Sequence, residues 1–301
     1  MKNKFRQFIA FPSLILNRLI SIQQALGRIE TRLNENLTSE DINDYEFKVS
    51  SQWGEDGIIQ YLIKNTEITN QIFIEFGVEN YTESNTRFLL QKNNWKGLII
   101  DGSETNISYI KNDSIYWKHN LKAECAFVTV ENINKIITNN GIQGDVGLLS
   151  IDIDGNDYWI WEAIDCISPR IVICEYNSHF GHEHKISTPY ESDFVREAKH
   201  YSNIYYGSSI SALDFLAKKK GYSLIGSNKA GNNVFFIRDD LMKNFKKLLP
   251  QEAYIASQFR EAKNEKNKLT FNTIKDNLDI ISDLEIIDVE TKKVIKIKKL
   301  F

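Results

Sequence analysis

Three short apolar runs of this sequence each end on an acidic side chain. The runs occupy residues 72–76, 97–101 and 147–152, and their acids include Glu75, Asp101 and Asp152. Runs that are rich in β-branched residues and apolar on both faces are typical of strands buried in a parallel sheet. Ligands of such sheets bind beyond the carboxyl ends of the strands. The sequence therefore predicts a binding cleft lined by carboxylates.

The first run continues as Glu75-Phe76-Gly77-Val78-Glu79-Asn80, with one glycine where a dinucleotide-binding turn has three. Without a glycine-rich turn, a pyrophosphate has no cradle at the following helix. A carboxylate suits a cationic ligand without phosphate, and S-adenosylmethionine carries an ammonium, a sulfonium and a ribose. We predict that Glu75, Gly77 and Asn80 bind this cofactor. The alternative for Glu75 is a carboxylate that caps a helix or forms an ion pair.

Asp101 ends the second run, 24 residues after Gly77. A carboxylate at this place can accept hydrogen bonds from both hydroxyls of a ribose. Gly102 allows a ligand to approach the backbone closely, and we include Ser103 among the cofactor-binding residues. The alternative is that Asp101 is an ordinary turn aspartate.

A second group of oxygen-bearing side chains follows the later runs. Asp152 ends the third run, and Glu175 and Asn177 end a further apolar run at 170–175. Neighbouring strand ends stand about 4.8 Å apart, so Asp152 and Glu175, with Asn177, can bind Mg²⁺ or another hard divalent cation. The alternative is a metal-free site in which Asp152 contacts the substrate or the cofactor amine.

Three of the five histidines, His179, His182 and His184, lie in one loop after the fifth predicted strand. No cysteine accompanies them, and the spacing lacks the helical frame of a zinc site. Methyl transfer to a hydroxyl group needs a base or a metal. We therefore name Asp152 and His179 as the catalytic residues, with a solvated loop as the alternative for the histidines.

The elements that must position these residues alternate between residues 46 and 240. Strands are predicted at 72–76, 97–101, within 113–130, at 147–152 and at 170–175, and helices at 55–68, 84–92, 131–139, 157–164 and 208–220. Two last runs, 222–226 and 234–238, flank a turn-forming connector and predict an antiparallel hairpin. The predicted fold class is α/β, a Rossmann-like methyltransferase sheet that is mostly parallel and ends in this hairpin.

Residues 1–45 form a separate N-terminal segment. Apolar residues recur at steps of three and four from Leu14 to Leu33, which predicts an amphipathic helix that starts near Pro12 and Ser13. Residues 1–32 hold six Lys or Arg against Glu30, a net charge of +5. Such a helix packs on its own domain or on a second copy of the chain, or it lies on an anionic membrane. We favour a homo-oligomer and keep peripheral membrane contact as the alternative.

Residues 241–301 form a C-terminal extension in this interpretation. The charged stretch 251–268 has a helical pattern, and the runs 285–289 and 294–298 predict a hairpin.

Composition excludes several classes of protein. The net charge of −3 argues against a nucleic-acid partner. The three cysteines, without CxxC spacing, indicate buried free thiols in a reducing compartment. No apolar run reaches the roughly 20 residues of a membrane span. We expect a cytoplasmic protein, at the inner face of the membrane if the N-terminal helix binds lipid.

The order of the motifs resembles that of FkbM-like methyltransferases over residues 50–240. The matching motifs are Ser51-Gln52-Trp53-Gly54-Glu55-Asp56, Phe73-Ile74-Glu75-Phe76-Gly77, Glu83-Ser84-Asn85-Thr86, Trp95-Lys96-Gly97-Leu98-Ile99-Ile100-Asp101 and Ser150-Ile151-Asp152-Ile153-Asp154-Gly155. The family more often has Glu-Gly where this chain has Asp154-Gly155. The resemblance implies that Glu75 and Gly77 line a methionine pocket, that Asp101 holds the ribose, and that Gln52 and Asp56 cover the cofactor.

The resemblance implies O-methylation of a sugar or another small hydroxylated substrate. The acid-tipped strands and this resemblance together predict methylation of a sugar hydroxyl in surface-glycan biosynthesis, of an O-antigen or a capsule. The Asp152 and Glu175 pair also looks like the metal site of the catechol and macrocin O-methyltransferases. Two other functions stay open, a nucleotide-sugar-modifying enzyme of another class and a non-catalytic scaffold in glycan assembly.

Overall fold

The computed structural model describes residues 2–301, with the side chains of residues 15, 16 and 18–301. The strands are β1 (Ile72–Phe76), β2 (Lys96–Asp101), β3 (Leu121–Cys125), β4 (Gly144–Ile151), β5 (Ile167–Glu175), β6 (Ile186–Ser187), β7 (Tyr222–Ser227), β8 (Asn233–Arg238), β9 (Glu285–Asp288) and β10 (Lys293–Lys296). The α-helices are α1 (Lys2–Asn34), α2 (Glu55–Asn65), α3 (Arg87–Asn93), α4 (Glu104–Asn112), α5 (Ser114–Lys118), α6 (Ile133–Asn139), α7 (Asp157–Ala163), α8 (Arg196–Lys199), α9 (Ile210–Lys220), α10 (Pro250–Ala253) and α11 (Ile274–Ile280). Short 3₁₀ helices cover Ile42–Tyr45, Ser178–Phe180, Asp239–Asn244 and Ile297–Lys299.

Seven strands form one sheet in the order β3-β2-β1-β4-β5-β8-β7. The first five are parallel, and β8 runs antiparallel to both β5 and β7. This is the predicted α/β fold, a Rossmann-like methyltransferase sheet with a terminal antiparallel hairpin. The strand order reverses between β1 and β4, and this switch point is where such sheets bind their ligands.

The central strands are buried on both faces, as their β-branched composition predicts. Within β1, Ile74 and Phe76 belong to one hydrophobic cluster, while Phe73 belongs to the cluster on the opposite face of the sheet. All three side chains are fully buried. The two-residue periodicity therefore fixes the register of β1 and, with it, the place of Glu75 near the carboxyl edge.

The C-terminal extension differs from its prediction in one part. Residues 251–268 were predicted to be helical, but only α10 is a helix there, and the chain from 254 to 272 is irregular. Backbone amides of this stretch form tertiary hydrogen bonds in place of helical ones. The Ser257 amide donates to Ser178 Oγ, and the Gln258 amide donates to the Ala230 carbonyl. The predicted last hairpin is confirmed as β9 and β10. Strand β9 also pairs with β6, which makes a second, three-stranded sheet.

Helix α1 contacts the rest of the chain through small and polar residues. It begins at Lys2, not at the predicted Pro12 and Ser13. Gly27 lies so close to Val49 that a Cβ at this position would stand 2.3 Å from the valine side chain. Gln23 Nε2 donates to the Val49 carbonyl.

The apolar side chains of α1 that the structure describes, from Ile15 onward, are largely exposed and not buried in this contact. Between 42% and 62% of each is exposed at Ile15, Leu19, Ile22, Leu26, Ile29 and Leu33. Leu14, the first residue of the predicted apolar series, lies outside the described side chains. None of the helices within residues 2–301 combines the length and the apolar composition that a membrane crossing requires. The division of the chain into three segments stays a prediction.

Candidate functional site

Two cavities meet at the carboxyl edge of the large sheet. The β2 cavity, of about 320 Å³, lies beyond β2 and includes Asp101, Gly102 and Ser103 in its lining. The β5 cavity, of about 420 Å³, lies beyond β1 and β5 and includes Gln52, Glu75 and Glu175. Both cavities share the lining residues Gly77, Glu79, Asp152 and Asp154. The acid-ended strands therefore converge on one continuous cleft, as the sequence predicts.

The β2 cavity combines a fixed carboxylate with apolar walls. Asp101 Oδ1 accepts from the Ser103 amide at 2.8 Å and from Asn106 Nδ2 at 3.1 Å. Ser103 in turn caps helix α4 through its hydroxyl. The apolar part of the lining consists of Ile100, Ala126, Phe127, Val128, Ile153 and Phe194. Apolar side chains beside a carboxylate suit the ring and the hydrogen-bond donors of a nucleoside.

Gly77 sits where the two cavities join, in a backbone conformation with φ of 69°. A Cβ at this position would stand 1.6 Å from the Asp152 carbonyl oxygen. The Gly77 amide also donates to the Ile100 carbonyl at 3.0 Å. Only glycine fits, because both the positive φ and the missing side chain are required. This contact brings the loop after β1 directly against the loop after β4.

The Glu75 carboxylate lines the β5 cavity but is already saturated with hydrogen bonds. It accepts from Ser84 Oγ at 2.6 Å, from the Asn85 amide at 2.9 Å, and from both the amide and the hydroxyl of Thr86. Burial raises the pKa of Glu75, and these donors oppose the shift. Glu75 thus holds the loop before α3, and this explains why α3 begins at Arg87 and not at the predicted residue 84. Its cofactor role stays a prediction.

Three carboxylates cluster in the shared part of the cleft. Oxygens of Asp152, Asp154 and Glu175 all lie within 4.8 Å of one another. The loop that carries the first two is braced by Asp157, whose Oδ1 and Oδ2 accept from the amides of Ile153 and Gly155. Burial raises the pKa of Asp157 to about 6. The cluster is therefore held in place by backbone hydrogen bonds.

Arg196 is the cation that faces this cluster. Its Nη1 lies 2.7 Å from Asp154 Oδ1 and 4.0 Å from Glu175 Oε1, and its Nη2 pairs with Glu261. Burial, followed by repulsion between the neighbouring acids, raises the pKa of both Asp152 and Glu175 well above the usual range, and Arg196 offsets only part of it. A raised pKa makes each of these carboxylates a stronger base than a carboxylate in water.

Asn177 is not a metal ligand in this structure, which corrects the prediction. The side chain is fully buried, and its Nδ2 donates to the carbonyls of Ile204 and Tyr206 at 2.9 and 3.0 Å. Its Oδ1 accepts from the His179 amide at 3.0 Å. All of its polar atoms are thus engaged inside the protein. The third oxygen donor beside Asp152 and Glu175 is Asp154, which the prediction had left out.

His179 likewise does not reach either cavity, so its assignment as a catalytic base is corrected. The ring is buried, with Nδ1 at 3.0 Å from Asn177 Oδ1 and Nε2 at 2.9 Å from Asn277 Nδ2. Burial lowers the pKa of His179. A neutral ring that donates from Nδ1 and accepts at Nε2 satisfies both partners. The residue therefore links the loop after β5 to α11.

The remaining predicted cofactor residues separate into two groups. Gln52 lines the β5 cavity. Asp56 lines neither cavity, because its buried Oδ2 accepts from the amides of Val49, Ser50 and Ser51. Asn80 also lines neither, and its Oδ1 accepts from the Thr82 amide. We correct both assignments, since each side chain stabilises the loop that it belongs to.

Several lining residues were missed from the sequence. Glu79 lies in both cavities although Asn80 had been chosen from the same motif. Phe259 and Glu261 come from the stretch that was predicted to be helical, and Phe259 stacks on Trp53 with ring centroids 5.2 Å apart. Arg196 is the first residue of the short helix α8, which no sequence pattern predicts. A search for basic residues that could balance the acids would have been the one available signal for Arg196.

No family model matches the sequence, and no curated protein matches it either. Among solved structures, one similar chain is the N-terminal domain of EvdMO1 with SAH bound, which is 11% identical, with 70% of this chain and 95% of that chain covered and a TM-score of 0.42. Another is an S-adenosylmethionine-dependent methyltransferase from Clostridium acetobutylicum ATCC 824, 11% identical, with 61% and 90% covered and a TM-score of 0.38.

A third similar structure is a SAM dependent methyltransferase from Aquifex aeolicus, 8% identical, with 59% of this chain and 88% of that chain covered and a TM-score of 0.34. Because these similarities are low, the fold assignment rests on the strand order of the sheet itself. The resemblance to FkbM-like methyltransferases stays a prediction.

Proposed function

We propose that this chain is an S-adenosylmethionine-dependent methyltransferase. The observation that carries the proposal is the charge of the β2 cavity, whose described lining holds four carboxylates and no Lys or Arg. A nucleotide phosphate would meet only negative side chains there, whereas a cationic nucleoside is attracted. The same observation argues against the nucleotide-sugar enzyme that the sequence left open. The apolar walls suit an adenine ring, and Asp101 suits the ribose.

When bound, the cofactor supplies an activated methyl group. Asp101 would accept from the ribose hydroxyls through Oδ2, because both of its internal hydrogen bonds use Oδ1. Gly77 keeps the passage between the cavities open. Asp152 and Glu175 lie on the acceptor side and would take the proton that an acceptor hydroxyl loses. A single substitution at each of these residues can test its proposed role.

The acceptor is proposed to be a sugar hydroxyl of a surface glycan, in an O-antigen or a capsule. The β5 cavity supports this assignment, because its lining is polar and includes the amide side chains of Gln52, Asn203 and Asn233. The stacked pair of Trp53 and Phe259 borders the cavity and offers an aromatic surface next to it. The family resemblance points to the same substrate class. We place the reaction in the cytoplasm.

If the site binds a divalent cation, its ligands differ from the predicted set, because Asp154 replaces Asn177. Asp152, Asp154 and Glu175 offer three oxygens to Mg²⁺, which fits the preference of that ion. Arg196, however, already pairs with Asp154 and would repel a metal at the same carboxylate. Methyl-transfer activity that is unchanged by EDTA would end the metal hypothesis and leave Asp152 and Glu175 as bases. Activity that EDTA removes and Mg²⁺ restores would support it.

Calorimetry with S-adenosylhomocysteine tests the cofactor assignment. We expect the intact protein to bind, and Asp101→Ala to bind about 10- to 100-fold more weakly because two charged hydrogen bonds are lost. Glu40→Gln removes a carboxylate from the opposite edge of the sheet and is the matched control, with unchanged affinity. Absence of binding by the intact protein would overturn the proposal.

The alternative of a non-catalytic scaffold needs a second measurement. Transfer of a labelled methyl group should be followed over a panel of sugar nucleotides and oligosaccharides. Methyl transfer that depends on Glu175 supports an enzyme. Retained cofactor affinity without transfer to any member of the panel would favour the scaffold.

We also propose that the chain forms a homo-oligomer through α1. Six apolar side chains of this helix are at least 42% exposed while its polar face packs on the domain. Each exposed leucine or isoleucine forgoes about 1.5–3 kcal/mol of burial. Their steps of four and three residues match the seam of a coiled coil, which favours a second copy over a lipid surface. Peripheral contact with an anionic membrane is the competing outcome.

A further inference from the structure

The β5 cavity holds an excess of negative charge and of hydrogen-bond acceptors. Its described lining contains two guanidinium groups, Arg196 and Arg260, against seven carboxylates. The carboxylates are Glu75, Glu79, Glu83, Asp152, Asp154, Glu175 and Glu261. Glu75 accepts hydrogen bonds from the loop before α3, and Arg196 forms ion pairs with Asp154 and Glu261. Lys48, from outside the described lining, pairs with Glu83 at 3.0 Å. With this lysine included, the carboxylates outnumber the cations by seven to three.

Three buried oxygens in this lining have no hydrogen-bond partner. They are Glu175 Oε2, Asn203 Oδ1 and Asn233 Oδ1. Glu175 is 6% exposed and Asn233 is 3% exposed. A buried polar group without a partner costs about 1–3 kcal/mol, and three of the twelve such side-chain atoms among the described residues belong to this one lining. All three are acceptors, and no buried donor of the described lining lacks a partner.

The two most deeply buried of these oxygens are neighbours in the sheet. Glu175 on β5 and Asn233 on β8 are direct partners in the antiparallel register. Asn233 Nδ2 donates to Glu55 Oε1 at 3.0 Å, which assigns the opposite atom of the amide as the acceptor. Glu175 faces Arg196 only through Oε1, at 4.0 Å. The bond to Glu55 thus fixes which atom of the Asn233 amide is the free acceptor.

A ligand that matches this lining must donate hydrogen bonds and carry a positive charge. A sugar hydroxyl brings one donor and no charge, whereas a protonated amine brings three donors and a positive charge. A divalent metal would need Asp154, which Arg196 already holds at 2.7 Å. We propose that Glu175, Asn203 and Asn233 bind the ammonium group of an amino-sugar acceptor. This inference rests on the proposed function and names the substrate class of the same site.

The ammonium group would act as an anchor and not as the methylated atom. A protonated nitrogen has no lone pair and cannot accept a methyl group. The methyl group therefore goes to a hydroxyl of the same sugar, in agreement with the proposed reaction. Asp152, at the junction of the two cavities, is left as the residue that takes the hydroxyl proton when Glu175 is occupied by the amine.

Binding of matched sugars to the full chain tests the inference. The protein is saturated with S-adenosylhomocysteine and titrated with the methyl 2-amino-, 3-amino- and 4-amino-glucopyranosides. The controls are methyl glucopyranoside and the N-acetylated form of each amino sugar, which keep the ring and remove the charge. We expect at least one amino sugar to bind tenfold or more tightly than both of its controls. Glu175→Gln removes the negative charge and replaces one carboxylate oxygen by an NH₂ donor. This variant should lose the preference for the charged sugar.

Four results would overturn the inference. The first is equal affinity for the charged and neutral sugars, and the second is a preference that survives both Glu175→Gln and Asn203→Ala. The third is a preference that appears only without S-adenosylhomocysteine, because the oxygens would then serve the cofactor's own ammonium group. The fourth is displacement of the amino sugar by Mg²⁺. Failure of S-adenosylhomocysteine itself to bind is a separate readout and would instead refute the proposed function.

Discussion

The two edges of the large sheet each carry a cavity, and they differ in charge more than in size. The cavity at the amino edge is about 480 Å³, larger than either cavity of the cleft, and lies between the end of α1, α2 and the starts of β1 and β2. Its charged lining residues balance, with Glu35 and Glu40 against Lys64 and Lys92. The cleft at the carboxyl edge has no such balance.

The same contrast holds for single carboxylates. Asp145 stands at the amino edge and receives a nitrogen from Arg170 and another from Arg238, both at 2.9 Å. Glu175 stands at the carboxyl edge with one oxygen unpaired and a guanidinium 4.0 Å from the other. Unpaired acids destabilise a folded chain, so a cluster of them indicates a ligand-binding role. Charge, and not cavity volume, therefore distinguishes the two edges.

The largest effect is expected from Gly77→Ala. The new Cβ would stand 1.6 Å from the Asp152 carbonyl, so the loops after β1 and β4 must separate. We expect S-adenosylhomocysteine affinity to fall by more than 100-fold and methyl transfer to be lost. Calorimetry and a methyl-transfer assay measure both.

Gly144→Ala at the amino edge is the matched control. Gly144 has the same φ of 69°, but a Cβ there meets nothing within 4 Å. The substitution should cost about 1 kcal/mol of stability through backbone strain and leave the affinity unchanged. Equal losses of affinity in the two variants would show that backbone strain, and not the contact at the cleft, is responsible.

The next effect concerns pH and compares Glu175→Gln with Asp145→Asn. Burial and the nearby acids raise the pKa of Glu175, so its proton stabilises the fold at acid pH and this contribution is lost as the pH rises through the folded-state pKa. Glu175→Gln should therefore raise the melting temperature by a few degrees at pH 8 and by less at pH 5. It should also lower methyl transfer at least 100-fold if Glu175 takes part in the reaction.

Asp145→Asn should behave in the opposite way. Burial raises the pKa of Asp145, but hydrogen bonds from Arg170 and Arg238 outweigh it and leave the pKa below its usual range. Its stabilising contribution is present at neutral pH and lost as the pH falls. The variant should lose about 2 kcal/mol at pH 7 and less at low pH, with methyl transfer unchanged. Thermal unfolding at a series of pH values that gave both variants the same sign would contradict the contrast between the edges.

The smallest effect on the cleft is expected from changes in α1. Ile22→Gln, Leu26→Gln and Ile29→Gln together should convert an oligomer to a monomer in light scattering, because the exposed apolar seam is lost. Deletion of residues 1–40 should do the same. Cofactor affinity should change less than twofold in the triple variant, since these side chains lie outside both cavities. Leu269→Gln, another exposed apolar position, is the control.

Two results would contradict the role of α1 as an oligomer interface. One is an intact chain that is monomeric and floats with anionic liposomes, which would favour membrane contact. The other is an oligomer that persists in the triple variant.

The strands of the fold could be predicted from the sequence because a strand buried on both faces is a continuous run of apolar, β-branched residues. β1 was predicted within its observed bounds, and the hairpin of β7 and β8 was found from its turn-forming connector. Helix ends were less accurate, as α3 shows, because Glu75 takes the amides of Asn85 and Thr86 before the helix begins. The irregular stretch after α10 carries a helical pattern, and only tertiary hydrogen bonds overrule it.

Only those site residues that lie at the ends of strands could be predicted from the sequence. Asp101, Asp152 and Glu175 follow from the parallel sheet, since consecutive strand ends meet at one edge. Arg196 begins the four-residue helix α8 and Glu261 lies in an irregular stretch, and their approach to the cluster depends on contacts that no local spacing encodes. The misassignments of His179 and Asn177 have the same cause, because a residue type suited to catalysis can equally serve a buried loop.

The stretch after α10 also bears on how the protein is made. Phe259, Arg260 and Glu261 line the β5 cavity, although the large sheet ends at Arg238. During translation, all strands of the large sheet leave the ribosome before these residues do. A nascent chain can therefore assemble the β2 cavity first and hold the proposed cofactor while the proposed acceptor side is still open. The order of synthesis would make cofactor loading precede completion of the acceptor pocket.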